Sequence, residues 1–330
     1  MSQLLPSRRN ILKTSALSLG AAAALPLSTL MPSGRARAAA PIATDQAPYF
    51  YRFMHGDAQV TMVSDGPLPL GSPVGNFLGV AEAEITQMLH DSFLPKDNVV
   101  LEQNSPIVNI NGKLVLFDTG MGAIQMFGDK TGRLLKSMAE AGIAPEAIDA
   151  VVCTHGHIDH IGGIVASTGP IFPNAQIYIS EADFDFWTDE AKLEGQLGPF
   201  VQAARDNLMP VRERIIFLRN EEEFLPGITA MAAPGHTVGH TIFMIESGGK
   251  QLCFIGDLTH HQVLLVERPR IEFAYDTDPK LAANTRVRLL EMLAANRTPV
   301  MAYHFPWPGV GHFAKMGDGF RYLPAPMELA

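Results

Sequence analysis

Two stretches in the first part of the chain alternate apolar and polar residues in the way typical of antiparallel hairpins. The first, YFYRFMHGDAQVTMVSDG, spans residues 49–66, and its turn falls at His55-Gly56-Asp57. The second, SPIVNINGKLVLFDTG, spans residues 105–120 and contains Asn111-Gly112, the pair best suited to a tight type I′ turn. The pattern therefore predicts a strand-rich first part.

Outside the hairpins, short apolar runs of strand length alternate with longer runs of helical spacing. The predicted strands are residues 147–154, 175–180, 228–234, 241–247, 250–257 and 299–304, and the predicted helices are residues 81–93, 132–142, 181–187 and 279–296. Residues 67–79 are rich in Pro and Gly and are predicted to form a loop. Hairpins followed by such an alternation indicate an α/β fold in which helices cover the sheets.

The first 40 residues differ in composition from the rest. They contain five basic residues, including the adjacent Arg8 and Arg9, and no acidic residue. The segment SRRNILK, a weakly apolar run and then RARAAA, with small residues where a peptidase would cut, resemble a twin-arginine export signal. We therefore expect a signal peptide at residues 1–40, one domain at residues 41–330, and a periplasmic or secreted protein. Because Gly20 and Pro26 interrupt an apolar run shorter than the ~20 residues of a spanning helix, we expect no stable membrane anchor.

The charge balance argues against a nucleic-acid-binding site, and the cysteine content argues against a thiolate metal site. The chain has 25 Lys and Arg against 34 Asp and Glu, and the predicted signal adds only positive charge to this balance. Because nucleic-acid binding depends on cations that neutralise phosphates, we expect no nucleic-acid partner. The two cysteines, Cys153 and Cys253, are too few for a thiolate metal cage and lie within apolar runs, so we interpret them as core residues.

Four predicted strands end in residues that can bind a metal ion. Side chains on loops at strand ends are held by a rigid sheet and remain open to substrate. The candidate ligands are His155, His157, Asp159 and His160 after the first of these strands, His236 after the second, Asp257 after the third and His304 after the fourth. Five imidazoles and two carboxylates are enough for two ions if one carboxylate bridges.

The spacing within VVCTHGHIDHIGG divides the ligands between the two ions. His155 and His157 can point the same way from an extended segment, and Asp159 and His160 follow as the chain turns into a helix expected to begin near Gly162. Imidazole and carboxylate ligands without a thiolate suit two Zn²⁺ ions, and Mn²⁺, Co²⁺ or Fe²⁺ would fit the same set.

The segments THGHIDH and GHTVGH, with the later Asp257 and His304, resemble the metallo-β-lactamase superfamily. The resemblance implies an αββα sandwich with a two-metal site at one edge of the sheets. It also implies a role for each ligand: His155, His157 and His236 for the first ion, Asp159, His160 and His304 for the second, and Asp257 as the bridge. Asp118 matches an aspartate that orients a ligand. We expect Asp159 and Asp257 to act in catalysis as well as in metal binding.

Longer segments, among them PNAQIYISEADFDFW and FPWPGVGHFAKMGDGFRYLP, look like the methyl parathion hydrolase family. This resemblance is weak in residues 67–100 and 189–223. It implies cleavage of aryl phosphotriesters by a bridging hydroxide, a homodimer, and a pocket walled by Phe127, Trp187 and Phe200. Where the family pattern is apolar, this chain has His260 and His261, which we place beside the substrate.

The expected function is thus a metal-dependent hydrolase of small neutral esters, with aryl phosphotriesters first and aryl esters next. A lactonase, including one for acyl-homoserine lactones, is the main alternative. A non-catalytic exported metal-binding protein is a second alternative. A serine hydrolase is disfavoured because the chain contains no Gly-x-Ser-x-Gly elbow.

The export signal can be tested directly. Replacing Arg8 and Arg9 by Lys keeps the charge but removes the arginine pair, so the precursor should accumulate in the cytoplasm. Immunoblots of cytoplasmic and periplasmic fractions would measure this. Normal export of the double variant would contradict the twin-arginine assignment.

Overall fold

The computed structural model of the protein describes residues 42, 46–47 and 49–328. The chain divides into two units, Met1–Gln46 and Ala47–Ala330. The predicted export signal at residues 1–40 lies outside the described residues. Among the described residues, no helix has both the length and the apolar character needed to cross a bilayer.

The second unit combines many short strands with a few helices. The strands are β1 (Phe50–His55), β2 (Ala58–Ser64), β3 (Leu68–Gly71), β4 (Phe77–Leu78), β5 (Val99–Leu101), β6 (Asn104–Ile110), β7 (Lys113–Phe117), β8 (Ala150–Val152), β9 (Val165–Ala166), β10 (Gly169–Pro170), β11 (Gln176–Ser180), β12 (Ile215–Leu218), β13 (Glu223–Leu225), β14 (Ile228–Ala232), β15 (Thr241–Ser247), β16 (Lys250–Phe254), β17 (Glu272–Phe273), β18 (Val300–Met301), β19 (Val310–Met316) and β20 (Gly319–Pro324). The α-helices are α1 (Glu82–Asp91), α2 (Leu134–Glu140), α3 (Ile158–Ile161), α4 (Glu181–Thr188), α5 (Gly198–Leu208), α6 (Leu264–Glu267) and α7 (Pro279–Ala295).

Two seven-stranded sheets form the centre of this unit. Their strand orders are β1-β2-β6-β7-β8-β11-β12 and β13-β14-β15-β16-β18-β19-β20. In the first sheet β7, β8, β11 and β12 run parallel. In the second, β16 and β18 run parallel, and β14 has the same direction because two antiparallel pairings separate it from β16. Each sheet therefore collects the carboxyl ends of several strands at one edge.

Three clusters of buried side chains form layers, one between the sheets and one on the outer face of each. Along β16, Leu252 and Phe254 belong to the core between the sheets, whereas Cys253 packs in the layer with α7. Along β7, Phe117 faces the core between the sheets and Leu116 packs in the layer with α2, α4 and α5. The period of two is that of a strand buried on both faces. The predicted αββα sandwich is confirmed.

The two predicted hairpins are present. β1 and β2 pair from Phe50↔Val63 to His55↔Ala58, around the expected turn. The second turn has positive φ at Asn111 (49°) and at Gly112 (76°), as a type I′ turn requires.

The structure differs from the predicted pattern in three segments. Residues 67–79, predicted to be a loop, contain β3 and β4, which pair with the distant β5 and β17. The helix expected to begin near Gly162 is α3, which begins at Ile158 and ends before that glycine. Residues 189–223 contain α5 and β12, for which the pattern predicted no element. In each case contacts with distant parts of the chain decide the local structure.

The layer beneath α7 provides a test of the packing. Leu289 is fully buried there, so Leu289→Ala should lower the free energy of unfolding by about 2–5 kcal/mol. Leu281, on the same helix and 42% exposed, is the matched control, for which Leu→Ala should change stability by roughly 0.5 kcal/mol or less. Urea denaturation of both variants would measure the difference. Equal effects would contradict the packing described for α7.

Candidate metal centre

The carboxyl edges of the two sheets bring the predicted ligands together. His155 and His157 follow β8 in the first sheet, and His236, Asp257 and His304 follow β14, β16 and β18 in the second. Asp159 and His160 lie in α3, directly after the first two histidines. The seven residues that the sequence singled out therefore meet in one place, although the two sheets supply them separately.

The first group of donors consists of His155, His157, His236 and Asp257. His155 Nε2 lies 3.0 Å from His157 Nδ1 and 3.1 Å from His236 Nε2. A tetrahedral ion with metal–nitrogen bonds of 2.0–2.1 Å requires nitrogens about 3.3 Å apart. Asp257 Oδ2 lies 3.2 Å from His236 Nε2 and 3.7 Å from His155 Nε2, in position for the fourth corner.

The second group consists of Asp159, His160 and His304. Asp159 Oδ2 lies 3.4 Å from Nε2 of His160 and 3.4 Å from Nε2 of His304. The same Asp257 oxygen, Oδ2, lies 3.3 Å from both of these nitrogens. One carboxylate oxygen therefore stands between the two groups, which is the position of a bridging ligand.

Unpaired polar atoms indicate that this cluster is built for a bound cation. His160 Nε2 and Asp257 Oδ1 are buried and have no hydrogen-bond partner among the described residues. Buried polar atoms are normally paired, so each such atom needs an explanation. Coordination of two divalent ions would satisfy the inward-facing atoms, and the donor spacing fits such ions. The role of each residue as a ligand stays a prediction.

Hydrogen-bond acceptors lie beside the outer nitrogens of several predicted ligand histidines. Asp118 Oδ2 lies 2.8 Å from His160 Nδ1, and Asp118 Oδ1 accepts from the backbone N–H of Thr154 at 2.7 Å. Asp118 has a φ of 55°, an uncommon conformation for a residue other than glycine. Its carboxylate is thus where the resemblance implied, beside a ligand histidine. The backbone carbonyl of Glu102 accepts similarly from His304 Nδ1 at 2.8 Å.

A second carboxylate, that of Asp276, also lies beside the outer nitrogen of a predicted ligand histidine, and sequence reasoning did not find it. Asp276 Oδ1 lies 2.9 Å from His236 Nδ1, and Asp276 Oδ2 lies 3.4 Å from Arg286, which is buried in α7. Arg286 also donates to the carbonyls of Leu258 and Ile271. Only the topology shows this role, because no local pattern around Asp276 links it to His236.

His240 supports the loop of Asp257 through the backbone. Its Nδ1 lies 3.2 Å from the carbonyl of Ala233, and its Nε2 accepts from the backbone N–H of Asp257 at 3.0 Å. Burial lowers the pKa of His240 to about 3, so the ring is a neutral acceptor.

Charge is distributed unevenly over the ligand histidines. Burial lowers the pKa of His155 and of His157 well below the ordinary value, which leaves both rings neutral and able to bind a metal. Burial acts in the same direction on His236 and His304, but the Asp257 carboxylate and its neighbours outweigh it and raise each pKa to about 9. Metal ions therefore compete with protons at these two histidines.

A cavity of about 420 Å³ opens above the cluster. Its floor includes six polar side chains, namely His157, Asp159, His236, Asp257, His260 and His304. Its walls are apolar and include Leu68, Leu101, Phe127, Trp187, Phe200 and Phe273. No lysine or arginine is among the described residues that line it. Four of the five predicted pocket residues thus lie in the lining.

His260 and His261 have different surroundings. His260 Nε2 lies 3.0 Å from Asp257 Oδ2, and neither ring nitrogen of His260 makes a hydrogen bond within the described chain. His261 is not in the cavity lining, which corrects its predicted place beside the substrate. Its Nδ1 instead accepts from the backbone N–H groups of Val263 and Leu264, at the start of α6. The side chains of these two adjacent residues therefore lie in different environments.

The fold and the donor set agree with comparisons to known proteins. The family model described as the metallo-β-lactamase superfamily matches residues 99–304. The structure of AidC, a dizinc quorum-quenching lactonase in complex with a product, is 30% identical, has a TM-score of 0.80, and is matched over 85% of this chain and 98% of AidC. The hydrolase AbOPH of the β-lactamase superfamily is 27% identical with a TM-score of 0.80, over 86% of this chain and 100% of AbOPH.

Curated sequences give the same class. A probable metallo-hydrolase of Mycobacterium tuberculosis is 25% identical over 56% of this chain, and an N-acyl homoserine lactonase of Bacillus thuringiensis is 24% identical over 52% of it. The matches span 65% and 62% of the lengths of these two relatives. This chain belongs to the metallo-β-lactamase superfamily. The prediction of a hydrolase of that superfamily is confirmed, whereas these relatives do not single out the methyl parathion hydrolase family.

The shared carboxylate provides the sharpest test of the cluster. Because Asp257 Oδ2 faces both donor groups, Asp257→Ala should reduce binding of both ions rather than one. Metal analysis of the purified protein would show this, with Asp318→Ala, an exposed carboxylate in the turn between β19 and β20, as the control. Two ions bound to Asp257→Ala at wild-type affinity would contradict the bridging position.

Proposed function

We propose that this protein is a two-metal hydrolase of neutral lactones, with N-acyl homoserine lactones as the first class to test. One observation carries the proposal: two adjoining groups of metal donors form the floor of an apolar cavity that no lysine or arginine lines among the described residues. A carboxylate or phosphate substrate would lose hydration there without a cationic partner. A neutral ester with an apolar substituent would bury that substituent against the walls.

The relatives support lactones over the phosphotriesters that the sequence analysis put first. AidC is described as a dizinc quorum-quenching lactonase, and the relative from Bacillus thuringiensis as an N-acyl homoserine lactonase. The comparison with AidC covers 85% of this chain. Zinc is the metal we propose for both sites, because AidC is described with two zinc ions and the donors here are imidazoles and carboxylates.

Two divalent ions, when bound, lower the pKa of coordinated water and polarise a carbonyl oxygen. The chain's own residues position these events. His155, His157 and His236 would hold one ion, Asp159, His160 and His304 would hold the other, and Asp257 would contribute to both sites. The side chain of Asp159 is 13% exposed and lines the cavity, so this carboxylate faces a bound substrate.

His260 gives the cavity floor a polar group that need not bind a metal. Its ring packs against Phe273 at an interplanar angle of 32°, with centroids 4.2 Å apart; its Nδ1 makes no hydrogen bond within the described chain, and its Nε2 lies 3.0 Å from Asp257 Oδ2. Such a ring can donate to the oxygen of a lactone carbonyl as negative charge develops there. Water adds to the carbonyl carbon, the ring C–O bond breaks, and the leaving oxygen takes up a proton to give a hydroxy acid.

Aryl phosphotriesters and aryl esters are the second candidate class. The observation that favours them is the aromatic wall of Phe127, Trp187 and Phe200 around the cavity. Burial of an aromatic leaving group against such a wall contributes about 1.5–3 kcal/mol. Trp187 has a further task, because its ring packs edge-on against His157 with centroids 4.7 Å apart.

A substrate panel separates these proposals. N-hexanoyl homoserine lactone, an aryl ester, an aryl phosphotriester and a glutathione thioester would be assayed with the zinc-loaded protein and with protein freed of metal by a chelator. We expect the lactone to be hydrolysed with the highest kcat/KM, activity to vanish without metal, and zinc to restore it.

Three results would contradict the proposal. Activity that persists in protein shown by analysis to be metal-free would contradict the two-metal mechanism. Turnover of the thioester alone would contradict the substrate class. Zinc-loaded protein that turned over none of the four would favour the non-catalytic metal-binding alternative.

A further inference from the structure

Asp183 is a fully buried carboxylate at the junction of the two loops that carry the first group of donors. It lies in the first turn of α4, immediately after β11 of the first sheet. One of these loops follows β8 in the first sheet, and the other follows β14 in the second. Asp183 contacts both.

Three hydrogen bonds end on this carboxylate. Asp183 Oδ2 accepts from the backbone N–H of Gly156 at 2.7 Å and from the hydroxyl of Thr237 at 2.9 Å. Asp183 Oδ1 accepts from the backbone N–H of Gly239 at 2.7 Å. Gly156 lies between His155 and His157, and Thr237 follows His236. Each donor therefore belongs to a residue that lies one to three positions from a predicted ligand in the sequence.

A role as an ordinary helix cap does not account for these contacts. The cap of α4 is Ser180, whose hydroxyl accepts from the backbone N–H of Asp183. The oxygens of Asp183 bind the two loops instead of its own helix. No lysine or arginine forms an ion pair with Asp183 in the part of the chain that the structure describes. Burial raises the pKa of Asp183, and the three hydrogen-bond donors act in the opposite direction.

The same helix supports the first loop at a second point. Trp187 lies one turn after Asp183, and its ring covers Gly156 and His157. A Cβ added at Gly156 would lie 2.5 Å from that ring, so the position accepts only glycine. Helix α4 thus fixes the loop through a polar contact at its start and an aromatic contact near its end.

We propose that Asp183 is a positioning residue that joins the two histidine loops and thereby determines the affinity of the first metal site. His155 and His236 belong to different sheets, yet their Nε2 atoms are 3.1 Å apart. The carboxylate of Asp183 is a hydrogen-bonded link between the backbones on either side, in addition to the backbone bond from Thr241 N–H to the carbonyl of Thr154 at 2.9 Å. The inference rests on the two-metal centre of the proposed function.

The test is zinc binding by Asp183→Asn, with Asp185→Asn as the matched control. Asn has nearly the same shape but directs an N–H₂ group at one of the three donors, whereas Asp185 is exposed on the same helix. Competition with a chromophoric chelator would give the affinity of each of the two ions. We expect Asp183→Asn to bind one ion about 10–100-fold more weakly and the other normally, as for the loss of an outer partner of a ligand. Asp185→Asn should match the wild type.

Thermal unfolding of the metal-free proteins separates positioning from general stability. A purely structural role would lower the Tm of metal-free Asp183→Asn and leave the zinc affinities of the folded protein unchanged, which would overturn the inference. If Asp183→Asn does not fold, Thr237→Val removes a single one of the three bonds and should weaken the same ion; unchanged affinity there would also overturn it. Failure of the wild type to bind two ions would overturn the proposed function itself.

Discussion

One carboxylate oxygen, Oδ2 of Asp257, is the point on which the rest of the structure depends. Nε2 atoms of five histidines lie between 3.0 and 3.7 Å from it: His155, His160, His236, His260 and His304. Such a concentration of buried polar groups is costly unless each is paired or binds a metal. Because the histidines come from both sheets, the sheets must pack in one register for the cluster to form. The sandwich core between them is therefore also the scaffold of the site.

Around the cluster, buried carboxylates do most of the orienting. Asp118 fixes His160, Asp276 fixes His236, and Asp183 holds the loops on either side of the first donor group. Each is connected in turn to a different element, so a ligand histidine cannot rotate without disturbing hydrogen bonds elsewhere. This arrangement favours a centre whose donors are in place before an ion or a substrate arrives.

The predicted metal donors and the walls of the cavity come from different parts of the fold. The donors stand at the ends of strands that are buried on both faces. The cavity walls come from segments outside the two seven-stranded sheets: β3 supplies Leu68, the segment after β7 supplies Phe127, and α5 supplies Phe200. Such segments vary more readily than a sheet without disturbing the core. Members of one superfamily can thus share a metal centre and differ in substrate. The set of metal ligands therefore does not distinguish a lactonase from an aryl phosphotriesterase, and a substrate assay is needed.

The sequence by itself determined the hairpins, an α/β fold and the seven candidate ligands, because strand alternation, Asn111-Gly112 and ligands placed at the ends of apolar runs are local features read directly along the chain. The αββα arrangement was implied by the family resemblance. The tertiary structure decided what depends on distant contacts. Residues 67–79 contain two strands, β3 and β4, which pair with β5 and β17. His260 lines the cavity, whereas its neighbour His261 contacts the start of α6. The tertiary structure also gave Asp183 and Asp276 their tasks, because a carboxylate more than twenty residues from the histidine loop it supports leaves no periodic trace in the sequence. Local patterns specify which groups a chain can offer, and only packing specifies which of them meet.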